Sequence, residues 1–292
     1  MSVAEPTLDL DALRYEEHWQ PVLDGAARRL LARLAAVVPA SVVAPHDHRS
    51  GSRGPRLLDL GAGTGVLTGL AAESWPDAAI IGLDASAAML GVAERRLAAA
   101  GRSEALQPVE WLARDAQATG LETDSIDVVM SSFVLQLVQD RVAVLHEVQR
   151  VLAPGGIFGF VTWITDALQL QPDREFDEAV YELELDDPES TVPELESGDY
   201  ESLDQARDEL EEAGFRDIDV RPDTLDYAWS AEAYLHFKAS FDERELLDSL
   251  TPTDRSRLIA NVRRRWANLP ASAFRLEAPL VSAVARARVE LG

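Results

Sequence analysis

The stretch Leu57-Leu58-Asp59-Leu60-Gly61-Ala62-Gly63-Thr64-Gly65 constrains this chain more than any other. A short apolar run ends in an acid and then breaks into glycines at alternate positions. A helical pattern starts straight afterwards, with Val66, Leu67, Leu70 and Ala71 on one stripe. That order spells strand, tight turn and helix N-terminus. Glycine is required where a turn takes φ > 0, or where backbone approaches a ligand with no Cβ in the way. The loop reads as a floor for a nucleotide-like ligand.

A regular rhythm follows. Strands are expected at residues 56–60, 79–84, 109–114, 125–130 and 157–163, with helices at about 66–75, 86–100 and 140–152. The last helix is stopped by Ala153-Pro154-Gly155-Gly156. Strands alternating with helices of this length mean βαβ crossovers and a parallel sheet covered on both faces. Further on, residues 202–213 read as a helix, 215–227 as a strand, 230–269 as mainly helical with a break at Thr251-Pro252, and 274–287 as a last strand. Residues 10–37 read as helical, with Pro21 at a helix start. The predicted architecture is α/β: a Rossmann-like, doubly wound, mostly parallel seven-stranded sheet with a mainly helical cap. Its expected parts are residues 1–49 (N-terminal helix and linker, in the cap), 50–164 (cofactor-binding core), 165–201 (acidic cap segment), 202–229 (core helix and strand), 230–271 (helical cap insertion) and 272–292 (final core strand).

Composition excludes several classes. The chain has no cysteine, which removes disulfides, thiolate catalysis and cysteine-ligated zinc. Net charge is −24, from 51 acids against 27 bases. A field of that sign repels phosphate backbones, so no nucleic-acid partner is expected. No apolar run reaches membrane-spanning length and no signal peptide is evident, so the expectation is a cytoplasmic protein with no membrane insertion. Oligomeric state is not readable.

Each of the first three strands delivers an acid at its carboxyl end, where open α/β sheets bind ligands: Asp59, Asp84 and Asp115. Asp84 lies about twenty residues beyond the glycine loop, where an acid accepts the hydroxyls of an adenosine ribose. Either a nicotinamide dinucleotide or S-adenosylmethionine fits so far. A dinucleotide loop needs a small residue where Val66 stands, its third glycine comes one place later, and a pyrophosphate gains from a loop with no nearby anion. An ammonium and a sulfonium, by contrast, suit acids. Asp115 is well placed for an adenine amino group.

At this point the chain resembles the class I S-adenosylmethionine-dependent methyltransferases, in the small-molecule branch that includes the ubiquinone/menaquinone C-methyltransferases. The matching segments are 57–65, Gly82-Leu83-Asp84-Ala85-Ser86 with Met89, Arg114-Asp115-Ala116, 126–137 and 147–156, so the resemblance covers residues 55–163. It implies that Gly61, Ala62, Gly63 and Gly65 border the methionine part and that Asp59 orients its amino group. It further implies that Asp84 takes the ribose, that Ala85 and Met89 pack on the adenine, that Asp115 and Ala116 face its amino edge, and that Ser131 faces the methionine or the methyl. The implied activity is methyl transfer to an O, N or C nucleophile of a small acceptor, leaving S-adenosyl-L-homocysteine. A non-catalytic cofactor-binding module and a nicotinamide-dependent oxidoreductase are the alternatives.

Methyl transfer needs a nucleophile held in line, and a base only if that nucleophile must lose a proton. His236 and His18 are the candidate bases. Tyr15, Trp19, Trp229, Tyr234 and Phe237 are candidates for an acceptor pocket, although the aromatics after residue 229 also read as the cap's own core. His146 reads as a surface residue. His46-Asp47-His48 has ligand-like spacing but lies in a linker, and no metal is expected. Arg263-Arg264-Arg265 reads as a solvated helix face.

Overall fold

The computed structural model describes residues 10–38, 54–99, 108–164, 170–183 and 198–289. The His46-Asp47-His48 motif therefore lies outside the described residues. The chain divides into two compact units. The first holds residues 1–165, 197–224 and 279–292, and the second residues 166–196 and 225–278.

The first unit opens with α1 (Leu10–His18) and α2 (Gln20–Val37). The break between them falls at Trp19, and Pro21 sits in the first turn of α2, where its missing N–H costs nothing. Then come β1 (Arg56–Leu60), α3 (Val66–Ser74), β2 (Ala79–Asp84), α4 (Ala87–Ala99), β3 (Glu110–Ala113) and β4 (Ile126–Ser132). They are followed by α5 (Arg141–Val151) and β5 (Leu152–Trp163). Asp140 caps α5 by accepting the Ala143 amide at 2.9 Å. After the second unit's α6 (Gln171–Glu182), the first resumes with α7 (Leu203–Glu212) and β6 (Arg216–Ala228). The last strand is β7 (Arg275–Arg286). Both β6 and β7 contribute residues to each unit.

The sheet has seven strands in the order β3-β2-β1-β4-β5-β7-β6. β3, β2, β1, β4 and β5 pair in parallel, and β7 runs antiparallel to β5. The order reverses direction at β1 and β4, which is the switch point where such sheets open a crevice. Leu57, Leu58, Leu60, Val128, Val129 and Met130 are fully buried, as strands covered on both faces must be. Roughly 1.5–3 kcal/mol per side chain of this kind holds the layers together.

Two local expectations are corrected. Residues 153–156, read as a helix stop, are instead the first part of β5. Leu152 already pairs with Ile126, Gly155 bends the strand with φ +76°, and the Gly156 carbonyl accepts the Ala287 amide at 2.8 Å. In the acidic stretch after residue 164, α6 forms where no helix was anticipated, because Phe176, Ala179 and Val180 line up one buried stripe.

The second unit also contains α8 (Ala231–Phe237), a π-helical turn (Lys238–Asp242), α9 (Arg244–Ser249) and α10 (Pro252–Trp266). Its core is aromatic. Tyr234 stacks near Phe237 at 5.7 Å and lies 5.7 Å from Trp266, and Trp266 meets Phe274 edge-on at 5.4 Å. The chain's one lysine, Lys238, is buried there and paired with Asp242 at 2.5 Å and Glu243 at 3.0 Å. Among the described residues, no helix is long and apolar enough to cross a membrane.

Candidate cofactor site

The carboxyl ends of β1, β2 and β3 are adjacent, because Asp59 pairs with Gly82 and Asp84 with Ala113. The three acids therefore gather along one rim. The glycine loop is stitched to β2, since the Gly61 and Ala62 amides both donate to the Leu83 carbonyl, at 2.7 and 2.8 Å. Gly61, Gly63 and Gly65 all take positive φ, and Gly65 starts α3 from a left-handed conformation. The three glycines are needed for different reasons. A Cβ on Gly61 would sit 2.1 Å from a Val134 methyl, and one on Gly65 would sit 2.9 Å from the Ala93 Cβ. A Cβ on Gly63 would meet nothing within 4 Å. Gly63 thus fronts open space, whereas its neighbours are pressed against protein.

Asp84 organises this space. One carboxylate oxygen accepts the Gly63 amide and the other the Ser86 amide, both at 2.8 Å. Charge-assisted bonds of this type fix a carboxylate firmly. Asp59 points inward, is 1 % exposed, and accepts a 2.5 Å hydrogen bond from the Thr68 hydroxyl. Burial pushes its pKa up to about 7; the Thr68 side-chain and backbone bonds oppose the rise, and the nearby Asp84 charge adds to it. Asp115 is exposed and its Oδ1 caps a turn by accepting the Gln117 amide at 2.8 Å. Beside it Ala116 is buried, while Ala85 is exposed and Met89 half-buried beyond β2.

A narrow cleft runs along the loop, lined by Asp59, residues 61–64, Val66, Leu67 and Ser132, and by Tyr15, Gln20 and Asp24 from the N-terminal helices. Gln20 is anchored there by the Thr64 hydroxyl, which donates to its side-chain oxygen at 3.1 Å. The Tyr15 phenol is pushed up to about 12, by burial first and then by the Asp84 charge. Among the described residues, no lining side chain is cationic, so the cleft suits a positively charged guest.

Other expected residues are placed differently. Ser131 is turned into the sheet, 1 % exposed, and its hydroxyl donates to the Leu60 carbonyl at 2.9 Å. Ser132, one residue on, lines the cleft instead, because successive strand residues face opposite ways. Phe133 then leaves the strand with φ +57° and packs on Trp163 at 4.9 Å. His18 is buried and faces Glu17 at 3.9 Å, and Trp19 forms the half-buried hinge before α2; neither lines the cleft. His236 is exposed on α8 and His146 on α5. Trp229, Tyr234 and Phe237 belong to the second unit, where their rings contact one another and the Tyr234 hydroxyl donates to Asp173 at 2.7 Å. Arg263 and Arg265 pair with Glu232, Glu175 and Glu182.

Thr68, Gln20 and Ser132 escaped the sequence reading. Thr68 and Gln20 matter only through partners nine and 44 residues away, and no local pattern marks such a contact.

Comparison with known proteins bears on the family and the fold. Residues 58–160 match the family described as "Methyltransferase domain". The chain is similar to trans-aconitate 2-methyltransferase of Azoarcus sp., at 32% identity over 163 residues, which is 56% of this chain and 51% of the relative. It thus spans about half the length of that protein. It is also similar to malonyl-[acyl-carrier protein] O-methyltransferase of Paenibacillus sp., at 25% identity over 226 residues, covering 75% of this chain and 78% of the relative. Phosphoethanolamine N-methyltransferase 2 of Haemonchus contortus shares the fold, with a TM-score of 0.51 at 18% identity over 95% of this chain and 57% of that one. Residues 58–160 thus match a methyltransferase domain, and the strands they carry belong to the mostly parallel, Rossmann-like sheet.

Proposed function

We propose that this protein moves a methyl group from S-adenosylmethionine to an O, N or C nucleophile of a small-molecule acceptor by in-line displacement, in the cytoplasm. The observation that carries the reading is Asp84, held by the Gly63 and Ser86 amides beside the open space that Gly63 fronts. In this reading Asp84 receives the ribose hydroxyls, and Ala85 and Met89 flank the adenine. Asp115 and Ala116 meet the adenine amino edge. Asp59 and the loop of Gly61, Ala62, Gly63 and Gly65 receive the methionine end, with Ser132 in the place expected of Ser131. Tyr15 closes the cleft from α1.

The cofactor supplies a methyl carbon already activated by sulfonium. The protein's part is to orient it, exclude water and hold the acceptor in line. A cleft whose described lining holds acids and no cation favours the charged donor over its neutral product. The two relatives, which act on trans-aconitate and on an acyl-carrier-bound malonyl group, support a metabolite acceptor rather than nucleic acid. The net charge of −24 supports the same choice.

Incubation with methyl-labelled S-adenosylmethionine and a panel of phenols, quinols, amines and carboxylic acids tests the proposal. Label is expected in one acceptor class, lost in Asp84→Ala. Calorimetric titration showing no binding of S-adenosylhomocysteine would overturn it.

A further inference from the structure

Within the first unit a second groove, of about 720 Å³, lies at the opposite rim of the sheet. It is bounded by Gly155 at the start of β5, Arg216 and Asp217 at the start of β6, and Arg286, Arg288 and Val289 at the end of β7. Because β1 to β5 are parallel, this is the rim where they begin, a strand length from Asp59 and Asp84.

Among the described residues, three arginines and one aspartate line this groove. Arg286 is fixed in place: it donates to the Gly155 carbonyl at 3.3 Å and the Val37 carbonyl at 3.2 Å, and its Nε stands 3.9 Å from Asp217. Arg216 and Arg288 are exposed and have no acidic partner among the described residues. Acids outnumber bases 51 to 27 in the chain, so three arginines around one groove concentrate positive charge in an acidic protein. Several other arginines of this unit are paired with acids, Arg29 with Asp223, Arg33 with Asp219, Arg141 with Glu209 and Arg150 with Glu147, whereas Arg216 and Arg288 face the groove. Like charges gathered around one groove repel one another, and a bound anion relieves that repulsion. The planar fork of arginine matches phosphate and carboxylate oxygens in pairs. The volume is that of a small-ligand site.

We propose that this groove binds a small polyanion, carrying phosphate or several carboxylates, through Arg216, Arg286 and Arg288. The site is separate from the cofactor cleft and goes beyond the proposed methyl transfer. Thermal-shift titration with pyrophosphate and with citrate, at ionic strength held constant with chloride, tests it. A saturable rise in Tm is expected from at least one probe, and the probe that acts tells phosphate from carboxylate chemistry. The apparent Kd should weaken at least tenfold in the R216A/R288A double variant, whose changed side chains are both exposed, and stay the same in Asp84→Ala. Absence of a saturable response to both probes, or an equal response in the double variant, would overturn the proposal. The titration needs no cofactor, so its outcome stands apart from whether S-adenosylhomocysteine binds.

Discussion

Asp84 and Gly63 are joined across the first βα turn, with a carboxylate oxygen of Asp84 accepting the Gly63 amide at 2.8 Å. The second oxygen accepts the Ser86 amide, so one side chain ties the loop after β1 to the loop after β2. Asp84→Ala frees both amides and removes the proposed ribose acceptor. S-adenosylhomocysteine binding should weaken by roughly 2–4 kcal/mol, since charge-assisted bonds are lost. Isothermal calorimetry of the variant checks this, and Asp84→Asn, which keeps one acceptor oxygen, should fall between.

Asp59 gives a pH signature. Its folded pKa of about 7 lies above the ordinary 3.8. A raised carboxyl favours folding while both states are protonated, and that stability is lost as pH rises from about 4 to about 7. The difference in Tm between Asp59→Asn and the parent, free of ligand, should therefore grow over that window and then level off. Cofactor binding should show the reverse trend. If the methionine ammonium meets the ionised form, affinity falls about tenfold for each pH unit below 7. Asp59→Asn should have lower affinity with no such slope, as titrations at pH 5.5, 6.5 and 7.5 would show.

Gly61 and Gly63 should respond differently to the same change. Gly61→Ala adds left-handed strain and a collision with Val134, and should cost about 2–4 kcal/mol in chemical denaturation. Gly63→Ala carries only the strain, about 1–2 kcal/mol, because its Cβ enters open space. Its larger effect should be on cofactor affinity. Equal affinities for Gly63→Ala and the parent would mean that the open space is not used.

Ser131 and Ser132 separate stability from binding. Ser131→Ala removes a buried bond to the Leu60 carbonyl and should cost about 1 kcal/mol of stability with little change in cofactor affinity. Ser132→Ala should leave the denaturation midpoint in place and alter binding or turnover. Urea melts and titrations of both variants decide between them.

How far the sequence reaches can be judged from these residues. The alternation of buried runs with helical stripes, and the glycines between, set the doubly wound sheet and brought Asp59, Asp84 and Asp115 to the ends of neighbouring strands. Those features depend on periods of 2 and 3.6 residues and on backbone conformations that only glycine adopts freely, and both are local. The site's finer arrangement is not local. Which of Ser131 and Ser132 faces the cleft depends on strand register, and a shift of one residue inverts every side chain. Whether Asp59 is an ordinary carboxylate depends on Thr68 and on burial under α3, which only packing supplies. The aromatic residues Tyr234 and Phe237 show the same limit: composition marked them as apolar, but assembly of the second unit decided that they fill its core. The gathering of Arg216, Arg286 and Arg288, up to 72 positions apart in the chain, was likewise left to the fold, because charge acts through space and the sequence records only order.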